Sequence, residues 1–290
     1  MSIPMNAVCL QCYLKKHIQA AIDFGDEASS TAFTRELMQQ FLDAPEDVDS
    51  ATLGGQVHPL YTKYFHTGPD RYKEEKETSN RFVLERLDMI RQRIEGAADP
   101  VFAGLQFSIL GNYLDFSALG KDVSFDKLED MLDQALEMQL DRTYYEQFCR
   151  DLEKGKKLLY LTDNAGEIGF DRLFAETLQK AYPHLEITFC VRGGYIVNDA
   201  TREDAELVGI PFPVIDSGNA IGGTVISKLC PEAKKALEEA DVILAKGMGN
   251  TESMYGCGYN VYYAFLVKCA RFIQFFDKPF MTPMLIRDKV

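Results

Sequence analysis

Three stretches of this chain place oxygen donors, glycines and lysines directly after short apolar runs. After Leu158 to Leu161 comes Thr162-Asp163-Asn164-Ala165-Gly166-Glu167. After Phe189 to Val191 comes Arg192-Gly193-Gly194 and then Val197-Asn198-Asp199-Ala200-Thr201, and after Val242 to Ala245 comes Lys246-Gly247-Met248-Gly249-Asn250. Asp163, Asn164 and Asp199 supply hard oxygen donors. A Mg²⁺-like ion takes one or two carboxylates and completes its shell with water and substrate phosphate, so the set suits a Mg²⁺ or Mn²⁺ phosphate site. A single aspartate at such a place more commonly caps the following helix. Two acidic strand ends together with a lysine-glycine loop favour the metal.

The Lys246 loop pairs a cation with glycines that let backbone N–H groups approach an anion, although a tight strand-to-helix turn explains those glycines equally well. It is not a Walker loop, because the G-x-x-x-x-G-K-[ST] spacing is absent. Lys268 ends the Val261 to Val267 run, where a lysine either faces the crevice or snorkels to solvent. The Arg192-Gly193-Gly194 turn lacks G-x-G-x-x-G, which argues against a dinucleotide enzyme. Cys9 and Cys12 share a helix face, but no second ligand pair completes a structural zinc site, so two small buried thiols are expected. His17, His58, His66 and His184 stand at no strand end and receive no catalytic role.

The elements that must position these residues divide near residue 150. Before it, Ala7 to Phe24, Ser30 to Leu42, Tyr72 to Ile94 and Phe125 to Glu153 carry apolar residues at helical spacing. The breaks between them are Pro45, Gly54-Gly55, Gly68-Pro69, Asp99-Pro100 and Gly120. After it, strands at Leu158–Leu161, Ile187–Val191, Pro213–Ile215, Val242–Ala245, Val261–Val267 and Met284–Ile286 alternate with helices at Glu167–Tyr182, Ala200–Val208 and Pro231–Ala240. That alternation predicts right-handed crossovers and an open, mostly parallel α/β sheet over 154–290, preceded by a helical region over 1–153. In such a sheet ligands bind outside the carboxyl ends of the strands, where the three polar stretches fall.

Composition narrows the partners. With 31 basic against 44 acidic residues among 290, the net charge of −13 opposes any diffuse hold on nucleic acid or anionic lipid. No apolar run reaches the roughly 18 residues that a spanning helix needs, and the start has no signal-like segment. The expected setting is cytoplasmic, without membrane or nucleic-acid partners, and the seven thinly spread cysteines are expected to be reduced.

With these residues laid out, the chain resembles the metal-dependent damage-control phosphatase family, in particular its shorter microbial branch. The likeness rests on Cys9-Leu-Gln-Cys12, Asp70-Arg-Tyr72 with Lys76 and Asn80, and Gly111-Asn112 with Asp115-Phe116. It continues through Asp163-Asn-Ala-Gly-Glu167 with Phe170-Asp171, Asn198-Asp199-Ala-Thr201, Lys246-Gly-Met-Gly-Asn250 and Lys268-Cys269. The resemblance implies a helical N-terminal region packed on a Rossmann-like α/β/α domain, and a divalent ion on Asp163, Asn164 and Asp199, with Mg²⁺ or Mn²⁺ and, in some members, Co²⁺ or Ni²⁺. It also implies phosphate contacts from Lys246 and Lys268, catalytic roles for Asp163, Glu167 and Lys246, and a pocket lined by Asn112, Asp115 and Asn250. The implied substrates are small phosphorylated metabolites, such as sugar phosphates or damaged side products, hydrolysed by metal-activated water. A phospho-aspartate at Asp163 is disfavoured, because the second aspartate that haloacid-dehalogenase-type enzymes place two residues on is Ala165 here. Two alternatives are an S-adenosylmethionine-dependent carboxyl methyltransferase, for which the glycine-rich loop is missing, and a non-catalytic phosphometabolite binder.

Overall fold

The computed structural model describes residues 2–68 and 70–287, apart from the Lys121 side chain. The chain enters through α1 (Ala7–Phe24), α2 (Glu27–Asp43), α3 (Ser50–Phe65), α4 (Lys73–Leu84), α5 (Leu87–Glu95), α6 (Pro100–Gly111), α7 (Phe125–Asp133) and α8 (Arg142–Lys154). Strands and helices then alternate: β1 (Lys157–Leu161), α9 (Glu167–Ala181), β2 (Glu186–Val191), α10 (Arg202–Leu207), β3 (Val214–Asp216) and α11 (Pro231–Glu239). They continue as β4 (Val242–Lys246), α12 (Gly247–Met254), β5 (Val261–Leu266), α13 (Ala270–Phe276) and β6 (Pro283–Arg287). The sheet order is β3-β2-β1-β4-β5-β6, parallel except for β6. The expected mostly parallel α/β sheet therefore forms, and its strand order reverses between β1 and β4, where a doubly wound sheet opens its ligand crevice. Pro69 of the Gly68-Pro69 break, and residues 288–290 of the expected α/β part, lie outside the described residues.

Period-two alternation sorts the strands onto two cores. Leu158, Tyr160, Leu244, Tyr262 and Ala264 face a core shared with α6, α8 and α9. Leu159, Leu161, Ile243, Tyr263 and Phe265 face one shared with α11, α12 and α13. Helices α1 to α3 enclose a third core around Phe33, Leu53 and Tyr61, and form a cap beside α12 and α13.

Several helical expectations need correction. The Tyr72–Ile94 helix is two, because the Arg86 side chain turns back onto Phe82 O (3.0 Å) and ends α4. Phe125–Glu153 is also two, since Gln106 holds Leu136 O and Met138 O (3.1 and 2.8 Å) in a link that makes one 3-10 turn at Ala135–Glu137 before α8 starts. Gly54-Gly55 does not break the chain. It lies inside α3, whose start is capped by Asp49 through Thr52 N and Oγ1, both 2.8 Å. Helix α6 went unread because it is buried on all sides, ten of its twelve residues, and so has no amphipathic stripe. No helix among the described residues is long and apolar enough to cross a membrane.

Candidate functional site

The turn after β1 pairs with the segment after β2. Ala200 N donates to Asp163 O and Ala165 N to Asn198 O, both 2.8 Å, and Asn164 bridges Asp199. This brings Asp163, Asn164 and Asp199 together, although 36 residues of sequence separate the outer two. From β4, Gly247 adopts φ +79°, and a Cβ there would collide with the Asp163 carboxylate. The N-terminal end of α12 thus abuts that carboxylate, where its free N–H groups favour negative charge.

The helical half supplies the other wall. Asn112, at the end of α6, donates its Nδ2 to Asp163 Oδ2 (2.9 Å) and to both Glu167 oxygens (3.2 and 3.1 Å), and its Oδ1 accepts from Leu266 N. Lys268 joins Asn112 O (2.5 Å) to Asp115 Oδ2 (2.7 Å). Burial pushes the Asp115 carboxyl up, but Lys268 and the Ala118 N–H outweigh it and hold the group below its usual range. Asn80 of α4 accepts from Gly166 N (2.7 Å), tying the turn after β1 to the helices.

Lys246 does not face the crevice as a free cation. Its Nζ is fully buried and gives hydrogen bonds to Glu167 Oε1 (2.7 Å), Asp171 Oδ1 (2.7 Å) and Ser108 O (2.9 Å), which uses all three ammonium donors. Burial lowers its pKa, but Asp171 and Glu167 reverse that and raise it. Asp171 also takes Ser108 Oγ and Tyr160 OH at 2.8 Å, and burial lifts it to about 6 against the pull of Lys246. Asn250 is likewise saturated: it holds Thr162 O and Lys246 O through Nδ2, and accepts from Arg192 and Thr224 at Oδ1.

Arg192, read from sequence only as part of a turn, lies between the two candidate metal carboxylates. Its Nε donates to Asp199 Oδ2 (2.6 Å), and its Nη2 stands 3.7 Å from Asp163 Oδ1 with no hydrogen-bond partner at 2% exposure. Its position after β2, opposite two strand-end carboxylates, was the available signal. Asp171, Tyr160 and Ser108 are further site residues missed by spacing alone. Cys9 and Cys12 lie on α1, half-buried and exposed, both with free thiols.

Among the described residues no three His, Cys, Asp or Glu side chains converge as a metal cage, so the candidate set is two carboxylates and one amide. Asp163 Oδ1, Asn164 Oδ1 and Asp199 Oδ1 accept no hydrogen bond among the described residues, while their partner atoms are tied inward. Burial, then the charges of Glu167 and Asp199, hold the Asp163 carboxyl well above its usual range, and burial lifts Asp199 to about 6 against Arg192. Crowded acidic oxygens without donors are relieved by a cation. The donor chemistry fits a hard divalent ion.

The sequence model of the damage-control phosphatase ARMT1-like domain family matches residues 5–279. An uncharacterized protein of Methanocaldococcus jannaschii is 34% identical over 87% of this chain and 84% of its own length. Proteins named damage-control phosphatase from Archaeoglobus fulgidus and Pyrococcus horikoshii are 36% and 30% identical, over 64% of both chains in the first case and 70% of this chain and 69% of that one in the second. The crystal structure of a DUF89 family protein from Pyrococcus horikoshii superposes with a TM-score of 0.85 over 99% of each chain at 23% identity.

Proposed function

This chain belongs to the damage-control phosphatase family defined by the ARMT1-like domain, and from that premise we propose that it is a metal-dependent phosphatase of small phosphorylated metabolites. The observation that carries the reading is the set of three undonated oxygens on Asp163, Asn164 and Asp199, with the unpartnered Nη2 of Arg192 3.7 Å from Asp163 Oδ1. Those three residues would hold the ion. Bound there, Mg²⁺ or Mn²⁺, with Co²⁺ or Ni²⁺ as substitutes, would neutralise phosphate charge and acidify water.

The chain's own groups do the rest. Asn164 Nδ2 donates to Asp163 Oδ2 and Glu167 Oε2, both 2.8 Å, and this fixes its amide with Oδ1 turned outward. Glu167 is held in turn by Asn112 and Lys246, so Lys246 and Glu167 position the ligand turn from behind. Arg192 Nη2 and the N-terminal N–H groups of α12 face the space beside Asp163, where they would take phosphate oxygens as charge develops. Lys268 and Asp115 set the loop that closes over that space.

The test is phosphate release from p-nitrophenyl phosphate and a sugar-phosphate panel, metal by metal. Activity should vanish in EDTA, and Asp163→Asn should lower kcat by about 10² or more. Full activity in EDTA, or in Asp163→Asn, would sink the assignment.

A further inference from the structure

Buried cations of this acidic chain stand against carboxylates: Lys76 on Asp204 (2.8 Å), Arg192 on Asp199 (2.6 Å), Lys246 on Glu167 and Asp171 (2.7 Å each) and Lys268 on Asp115 (2.7 Å). Two cations on the cap side of the site differ. Lys16 of α1 gives its ammonium to Ser117 O and Oγ, both 3.0 Å, and forms no ion pair among the described residues. Arg71, just before α4, lays its guanidinium 3.5 Å from the centroid of Tyr61, with Phe24 at 5.1 Å. Its Nε is buried without a hydrogen-bond partner, and it too forms no ion pair among the described residues.

The two cations are linked to one another and to the candidate site: Arg71 lies on Tyr61, whose hydroxyl pairs with His17 (2.8 Å), next to Lys16, and Lys16 holds the loop after α6 through Ser117. Ser117 lies two residues past Asp115, on the loop whose Asn112 holds Asp163 and Glu167. On the same loop the Phe116 N–H donates to Asn198 Oδ1 (3.2 Å), next to Asp199. Burial lowers the pKa of Lys16, and the neighbouring charge of Arg71 lowers it further against the pull of Asp115 and Asp199. Two neighbouring like charges without an ion-pair partner are unfavourable until an anion comes between them. A guanidinium pinned on an aromatic face is already ordered to receive one.

We infer that Lys16 and Arg71 form a subsite for a second anionic group, phosphate or carboxylate, on the substrate whose phosphate is cleaved between Asp163 and Asp199. This rests on the phosphatase reading above, and it narrows the substrate class to metabolites bearing two anionic groups, such as sugar bisphosphates or phosphorylated sugar acids.

Three probes of one carbon skeleton test it: glucose 6-phosphate, 6-phosphogluconate and glucose 1,6-bisphosphate. With wild-type protein, kcat/KM should favour the two-anion probes, and the better of the two tells carboxylate from phosphate. Lys16→Met and Arg71→Gln should each cut that preference about tenfold, chiefly through KM. Lys16→Arg should keep most of it. An unchanged preference in a double variant that melts like wild type overturns the subsite. Calorimetric titration separates this from failure of the phosphatase reading. If no ester is hydrolysed but 6-phosphogluconate binds wild type more tightly than glucose 6-phosphate, and the double variant loses that difference, the subsite stands alone. Equal binding of both ligands to wild type overturns it.

Discussion

Replacing Lys246 by methionine separates two roles for this lysine, contact with the phosphate or support of the site from behind. Methionine fills similar volume but leaves Glu167 and Asp171, both fully buried, without the ammonium that stands 2.7 Å from each. Removing one member of a buried ion pair costs about 3–5 kcal/mol, because the remaining charge has neither water nor partner. That is a large share of the roughly 5–15 kcal/mol by which domains are stable. The loss should depend on pH. Without the cation, the Asp171 carboxyl, already pushed up by burial, titrates higher still above the ordinary ~4 of the unfolded chain. The stability of Lys246→Met is then fully present below that ordinary range and falls as pH rises through the raised folded value. In wild type Asp171 already stands at about 6, so its own decline is complete soon above that. Urea unfolding at pH 5 and pH 8 should therefore show a gap between the two proteins that widens with pH. Adding Asp171→Asn should narrow it at pH 8. A variant within 1 kcal/mol of wild type at pH 8, but with a sharply raised KM, would return Lys246 to the phosphate and refute the positioning role.

Two further outcomes follow from the same geometry. Glu252, packed beneath the cap against the Ser50 hydroxyl, is pushed up to about 7 chiefly by burial; its contribution is present below the unfolded range and lost as pH rises through 7. Denaturant midpoints from pH 5 to pH 8 should therefore fall for wild type and stay flatter for Glu252→Gln, with a difference on the order of 3 kcal/mol across the range. Gly247→Ala places a Cβ at φ +79° into the Asp163 carboxylate. The backbone strain alone costs about 1–2 kcal/mol, and Mn²⁺ affinity by calorimetry should drop at least tenfold; unchanged affinity would mean that Asp163 is not where the ion binds.

The sheet was legible because its strands are short apolar runs buried on both faces, and each observed strand begins and ends within about a residue of its expected place. Asp163, Asn164 and Asp199 were legible for a related reason, since strand ends in such a sheet converge on one edge. Helix α6 was invisible to periodicity, yet its last turn carries Asn112, the residue that crosslinks Asp163 to Glu167. Only the resemblance to a family brought Asn112 and Asp115 into view. Arg192 was set aside because its glycines fit no nucleotide motif. A motif describes a backbone, however, and what matters at this position is a guanidinium between two carboxylates. Lys16 and Arg71 lie on elements far in sequence from any strand, and no spacing rule places Lys16 of α1 against Ser117 on the loop after α6.

The net charge of −13 looks at first like an obstacle to phosphate binding. Its distribution resolves the conflict. The exposed excess of acid sets the far field, which governs encounter with polyanions and is screened within about 10 Å at ordinary ionic strength. In the proposed reading a phosphate in the crevice would instead meet Arg192, the start of α12 and an ion held by the three free oxygens, all in a medium where near charges count for more. The buried lysines Lys76, Lys246 and Lys268 face four carboxylates, Asp115, Glu167, Asp171 and Asp204, so they rigidify the crevice without making it generally basic. Such a site would select a compact anion that can enter and reject an extended one that cannot, and it follows that activity toward small phosphate esters should depend only weakly on salt, in contrast to binding driven by a broad basic surface.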